Sequence, residues 1–451
     1  MSNSFRLKRG YNIRLKGDVG NTQLSPAKAE CYAVKPTDFL SMVPKLTVKV
    51  NDRVKAGSPL FFNKLQPQSM VCSPVSGEVV AINRGERRRL EEIVIKTDQH
   101  IDYEHLDTAS SSAEQIKSTL QKSGLWSFFV QRPYGIIVNP EETPQHIYIS
   151  CFDSSPLAND LEHSLCSDVA EFKSGVEILK KLTTGKVRLG LNAKVSKSIF
   201  EGIDGVEYNR FEGAHPAGNV GVQISKISPL NKGEKVWTIS PQAVVYIGRL
   251  FSKGIYDVSL NVKVAGTRAK DKGYIPTILG AQIKSLLTID KPTGKTKMPN
   301  SRIISGNILT GQRVVEDGYL GSFHNLITSI PDGDYYKLLG WATPGISEFS
   351  VSRTFFGWMC PKRKYNLDTN THGEERAFVM SGQYEKVLPM DILPVYLLKA
   401  ILANDIDKME QLGIYEVIEE DLALCEVICT SKIDVQNILR EGINTMITEI
   451  G

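Results

Sequence analysis

A chain of 451 residues exceeds what one hydrophobic core supports and sets an expectation of three or four domains. An apolar content of 41% beside 23% charge belongs to a globular protein, and a net charge of +4 on mostly dispersed basic residues excludes nucleic acid as the expected partner. Seven cysteines in a chain this long do not form a disulfide framework, and the odd count fits a reducing compartment.

The first eighteen residues are charged and lack an apolar leader core, so no signal peptide is expected. The most apolar stretch, residues 392–403, contains Lys399 and is too short to span a bilayer, so membrane association is expected only through partners.

In chain order, residues 46–96 alternate short strands and turns. The phrase V-x-V-N-D-x-V-x-x-G-x-P-L followed by S-P-V-S-G-E-V is how biotinyl and lipoyl carrier domains read, with Gly57 and Gly77 at tight turns. A carrier needs a lysine at its hairpin tip. The spacing puts that position at Gln66, with Lys64 two residues away and no acidic residue before it. An unmodified barrel-sandwich is therefore preferred, and a lipoyl or biotinyl carrier modified at Lys64 is the alternative.

Ser112 and Gln115 have capping-box spacing for a helix over 112–122, and Gly124 stands where it stops. The aromatic turn GLWSFFVQRPYG reads as buried packing. Then IYISCFD, a helix over 168–182, KVRLGL and GVEYNRF give a β–α–β succession, which predicts a Rossmann-like α/β domain with a partly parallel sheet. Ligands in such sheets sit at the carboxyl ends of strands. That is where FEGAHPAGNVG, residues 211–221, would lie. Its Gly213, His215, Gly218 and Gly221 are the candidate site residues.

A glycine cluster suggests phosphate, but neither nucleotide fingerprint is complete. Pro216 stands at the first glycine of G-x-G-x-x-G, and the following GVQISKISPL alternates like a strand rather than opening a helix. Against the P-loop pattern, Asn219 and Val220 replace lysine and hydroxyl. His215 is a candidate base or ligand, or a turn residue with one hydrogen bond to make.

Ser240, Pro241 and Gly254 frame a helix with Val244, Ile247 and Phe251 on one face. Strands DVSLNVKVAGTR and SRIISGNIL, with GYIPTILGAQIKSLL as turn plus short helix, suggest a β-grasp module. The remainder is mostly helical: a helix capped by Asp391 with Pro394 in its first turn, and a last helix from about 432. The expected domains are 1–100, 101–255, 256–340 and 341–451.

Cys425 and Cys429 are spaced to share one helical face, but no further ligand lies near them in sequence. The run Gly373-Glu374-Glu375-Arg376 reads as a solvated turn before an apolar strand. G-x-S-x-G, H-E-x-x-H and C-x-x-C are absent. No complete active site is legible.

Several strings in order nevertheless resemble one family. They are S-P-V-S-G-E-V-V-A-I-N-R-G-E-R-R, S-A-E-Q-I-K with S-G-L-W, F-E-G-A-H-P-A-G-N-V-G, G-E-E-R-A, Y-E-K-V-L-P-M-D-I-L-P and E-E-D-L-A-L-C-E-V-I-C. Together they are similar to the NqrA family, the A subunits of the Na+-translocating NADH:quinone oxidoreductase, nearly end to end. The resemblance implies a barrel-sandwich, a Rossmann-like domain, an SLBB-like β-grasp and a helical end. It also implies a degenerate relation to the C subunits of RNF complexes and to the NADH-binding component of complex I. By that resemblance the chain is a peripheral component on the cytoplasmic face of the bacterial inner membrane, beside the quinone-site membrane component. It would carry no tightly bound redox cofactor, and quinone would be the substrate of the complex. The enzyme-class alternative is a chain that itself binds NADH or flavin in the α/β cleft.

Overall fold

The computed structural model describes all residues except 1–2, 110–111, 291–299, 337–338, 340–343, 347 and 451. The domain boundary expected at 340/341 lies outside the described residues.

Strand β1 (Asn3–Arg6) does not join the barrel that follows it in sequence. It extends the α/β sheet by pairing in parallel with a strand far downstream, Asn3 opposite Asn209 and Phe5 opposite Phe211. The barrel itself comprises β2 (Cys31–Val34), β3 (Pro44–Leu46), β4 (Arg53–Val54), β5 (Pro59–Asn63), β6 (Gln66–Cys72), β7 (Gly77–Arg84) and β8 (Leu90–Thr97). They form two small sheets, β2-β8-β7-β4 and β3-β5-β6. Gly57 has φ +99°, which a side chain would strain, and so allows the turn into β5. The β5–β6 hairpin turns at Lys64 and Leu65, so the tip is Lys64 and not Gln66. A register shift in the hairpin moves the apex toward β5, which spacing alone does not reveal.

Helix α1 (Ala113–Lys122) has the expected reciprocal capping box between Ser112 and Gln115. The α/β domain then runs β9 (Val130–Arg132), β10 (Ile136–Ile137), β11 (Ile147–Ser150), α2 (Leu161–Ser164), α3 (Val169–Lys180), β12 (Val187–Asn192), β13 (Glu207–Glu212), α4 (Val220–Ile227), β14 (Val236–Thr238) and α5 (Pro241–Lys253). Its sheet order is β1-β13-β12-β11-β14-β9-β10, parallel from β1 to β14 and antiparallel beyond.

The alternation after the glycine loop is a helix, not a strand. Helix α4 lies between two cores: Val222 enters the core of the C-terminal domain, while Val220, Ile224 and Ile227 face a cluster with Tyr148 and Val236. A helix buried on two sides loses the one-sided 3.6 period that would identify it.

The β-grasp unit contains β15 (Ser259–Ala265), β16 (Gly273–Ile278), α6 (Ile283–Leu286), β17 (Ser301–Ser305), β18 (Gln312–Val314) and β19 (Leu326–Pro331), ordered β16-β15-β19-β17-β18. GYIPTI is a full strand rather than a turn; Pro276 is tolerated because β16 is at the sheet edge.

The C-terminal helices are α7 (Tyr384–Val387), α8 (Pro394–Leu402), α9 (Ile406–Gln411), α10 (Glu419–Val427) and α11 (Val435–Glu449). Asp391 does not cap α8, because the helix begins at Pro394 with Leu393 as its uncapped N-cap. No strand follows residues 373–376. Ser431 holds that segment instead, its carbonyl accepting from Arg376 N and its hydroxyl donating to Ala377 O. Among the described residues, no helix is long and apolar enough to cross a membrane.

Candidate functional site

The parallel strands β11, β12 and β13 end together at one edge of the α/β sheet. Their carboxyl ends and following loops contribute Phe152–Leu157, Asn192 with Lys194, and Phe211 with Gly213 to a cleft of about 320 Å³. Its other wall is residues 12–18 of the arm that follows β1 (residues 7–18), with Lys364 at the rim.

That arm is stitched on both sides. Tyr11 N donates to His215 O at 2.8 Å, Lys16 N to Tyr365 O at 2.8 Å, and Gly266 N to Gly17 O at 2.9 Å. It therefore ties the glycine loop, the C-terminal region and the β-grasp unit together. The sequence gives little sign of this, because pairing between distant segments leaves no local period.

Of the four candidate residues, Gly213 lines the cleft, and its missing side chain makes room for Leu7 of the arm. The other three stand behind it. Gly218 N donates to Ser154 Oγ at 2.8 Å, and Ser150 Oγ donates to Gly218 O at 2.7 Å. A Cβ on Gly218 would lie 2.6 Å from Ser154 N and 2.9 Å from Phe152 O. Here glycine serves close packing of loop on loop, not approach to a ligand.

Gly221 sits in the first turn of α4, where a dinucleotide fold would bring its phosphates. A Cβ there would be 2.5 Å from both carboxylate oxygens of Asp421 and 2.7 Å from Arg132 Nη1. Asp421, wholly buried on α10, is bonded to Arg132 at 2.8 Å and accepts from Ile418 N at 3.0 Å. Glu420 also pairs with Arg132, and Asn219 Nδ2 donates to Glu420 O at 2.9 Å. The protein's own buried ion pair is thus packed directly against the first turn of α4. Pyrophosphate would meet this carboxylate and the packed chain of α10, so the residues do not fit a dinucleotide or flavin phosphate in this place.

His215 is 3% exposed, its Nδ1 3.0 Å from Ser154 Oγ and its backbone N donating to Asn12 Oδ1 at 2.8 Å. Ser154 Oγ thus joins the Gly218 N–H and the His215 ring, and among the described residues no carboxylate is bonded to the imidazole to hold it charged. Burial holds His215 down at about 4. The unfolded state, titrating near 6.5, then binds the proton first as pH falls. Stability is full above about 6.5 and declines toward 4, by about 2 kcal/mol between pH 6.5 and 5. His324, also buried and held at about 4, adds a similar loss. Urea denaturation at pH 7 and pH 5 should show this fall, and His215→Gln should remove His215's share; an unchanged pH slope in the variant would contradict the assignment.

Cys425 lies on α10 and Cys429 just beyond its end, so the expected shared helical face is only partly formed. Burial pushes the Cys425 thiol up, away from the thiolate that a metal needs. Among the described residues no group of three or more His, Cys, Asp or Glu is placed to hold a metal. Glu374 and Glu375 are exposed in their turn.

Three family models match the chain: an NqrA N-terminal barrel-sandwich hybrid domain over residues 5–98, an NqrA second alpha/beta domain over 111–256, and an NQRA C-terminal domain over 262–316. Curated relatives extend the match. The A subunit of the Na(+)-translocating NADH-quinone reductase of Serratia proteamaculans (strain 568) is 35% identical over 446 residues, covering 97% of this chain and 98% of the relative. The chain belongs to this NqrA family. The NqrA protein of Yersinia pestis bv. Antiqua (strain Angola) is also 35% identical, with 97% and 98% covered. That of Rhodopirellula baltica (strain DSM 10527 / NCIMB 13988 / SH1) is 35% identical with 98% and 97% covered. The barrel-sandwich, the α/β domain and the β-grasp unit therefore follow the NqrA domain pattern.

Proposed function

We propose that this chain is the peripheral NqrA component of a Na+-translocating NADH:quinone reductase, on the cytoplasmic face of the bacterial inner membrane. It carries no tightly bound redox cofactor and supports assembly and the quinone site. The observation that carries this reading is Asp421 against Gly221: the first turn of α4, where a nucleotide phosphate would approach, is covered by the chain's own buried ion pair. The α/β cleft persists beside it. Its donors Asn12, Asn192 and Lys194 suit the carbonyl oxygens of a quinone headgroup.

A surface for the quinone-site membrane component is offered by α8. Its buried face holds Val395, Leu397, Leu398 and Ile401, yet Leu393, Tyr396 and Leu402 are exposed on its other side, as are Val379 and Met380 earlier in the chain. Lys399 shares that face, with its ammonium over the Phe378 ring, so the surface is an apolar patch carrying one cation, and such a patch suits cover by a partner in the working state. Tyr396→Asp is expected to leave the fold intact and to reduce recovery of the chain with the membrane components at least ten-fold in affinity purification, because it replaces an aromatic ring of the apolar contact with a carboxylate. Normal recovery would place the partner elsewhere.

The ligand question is settled by calorimetric titration of the purified chain with a short-chain quinone, NADH and FMN. Quinone is expected to bind and to bind more weakly on Lys194→Ala. NADH and FMN are expected to give no heat of binding, and a stoichiometric response to either would overturn the cofactor-free reading.

A further inference from the structure

Between Glu348 and Asp368 the chain holds Arg353, Lys362, Arg363 and Lys364 and not one carboxylate, although its acids and bases nearly balance overall at 50 to 54. The apolar residues of this stretch divide into two sets. Phe349 faces inward, its ring 5.9 Å from that of Tyr11 and 5.4 Å from that of Tyr365. In the short 3-10 turn Phe356–Met359, Gly357 is the residue that faces inward: a Cβ there would be 2.3 Å from Glu348 O, and its carbonyl accepts from Tyr365 Oη at 3.1 Å. At about three residues per turn the other three point away from that contact. Phe356, Trp358 and Met359 are indeed 47%, 47% and 56% exposed.

The cations flank them. The Arg353 guanidinium lies over the Trp358 ring, 5.5 Å from its centroid, and Lys362 is exposed. Arg363 is engaged with Ile346 O, and Lys364 stands at the rim of the cleft.

Clustered, outward aromatic and thioether side chains beside Lys and Arg match the composition of a membrane-interface contact. Rings settle at the headgroup level, and the cations meet phosphate. A protein partner would have to bring its own acids. We propose that residues 353–364 are a membrane-surface contact, with Phe356, Trp358 and Met359 seated among the headgroups of an anionic phospholipid leaflet and Arg353 and Lys362 on its phosphates. This rests on the peripheral placement proposed above and adds a direct lipid contact to the attachment made through partner proteins.

The test is co-sedimentation of the full chain with vesicles of phosphatidylcholine, alone or mixed with phosphatidylglycerol. Binding is expected only to the mixed vesicles and should weaken as salt is raised. Lys362→Ala and Arg353→Ala should each weaken it by roughly five-fold. Trp358→Ser should weaken it at low and high salt alike, since apolar insertion is not screened. Leu65→Ser, at an exposed residue of the barrel hairpin, should change nothing, and unaltered circular dichroism verifies that each variant is folded. Equal affinity for both vesicle types, or equal binding by all variants, would overturn the proposal. So would a chain indifferent to vesicles that Trp358→Ser releases from the assembled reductase, because the patch would then be a protein interface. Intact vesicle binding by a chain that fails to join the reductase would instead overturn the peripheral placement and leave the lipid contact standing.

Discussion

Asp421→Ala is expected to lower the unfolding free energy by about 3 kcal/mol, the lower end of the range for breaking a buried pair from one side. Arg132 is 2% exposed and would lose its fully buried partner, keeping only Glu420, which is 37% exposed. Ile418 N would lose its acceptor as well, so α10 would be uncapped at the point where it meets α4. Asp421→Asn keeps an acceptor for Ile418 N and should fall between Asp421→Ala and the unsubstituted chain. Equilibrium denaturation in urea measures all three. A loss below about 1 kcal/mol, the range of an exposed pair, would mean that this junction is not what joins the α/β and C-terminal domains.

Gly218→Val is expected to destabilise by about 2 kcal/mol or more, within the usual range for overpacking and toward its upper part. The atoms it would strike are backbone, Ser154 N and Phe152 O, and cannot rotate away. Moving the 152–154 loop also disturbs Ser154, which holds both Gly218 N and His215. Because that loop forms one wall of the cleft, quinone affinity should fall with stability. NADH should remain without detectable binding in both proteins. If Gly218 instead served a nucleotide, the substitution would weaken NADH binding while leaving the denaturation midpoint nearly unchanged, and the two outcomes are separable in one preparation.

The parts of this architecture that were legible in sequence are those with local signals. Ser112 with Gln115, and Ser240-Pro241 with Gly254, mark helix ends through bonds made within a few residues, and both helices form with those ends. The strands IYIS, VRLGLN and EYNRFE carry their own apolar alternation and fall side by side in parallel. What depended on distant partners was not legible. Strand β1 reads as part of the barrel because its pairing partner, β13, lies beyond the barrel and half of the α/β domain. Helix α4 imitates a strand because two different cores cover it. Asp421 looked like one acid in E-E-D, and nothing in its neighbours announces that it is buried against Gly221. The imperfect fingerprint at Pro216 and Asn219 did register that the nucleotide site is incomplete; only the fold supplies what took its place.

The most direct measurement is complementation. Membranes of a bacterium lacking its own NqrA, supplied with this chain, would be assayed for Na+-dependent NADH:quinone reductase activity and for the chain's presence in the purified complex. The account predicts restored activity, with the chain present in equal proportion to the other components and no flavin, iron or lipoyl group on it. A folded, abundant chain that leaves the activity absent, or one that brings its own redox cofactor into the complex, would contradict it.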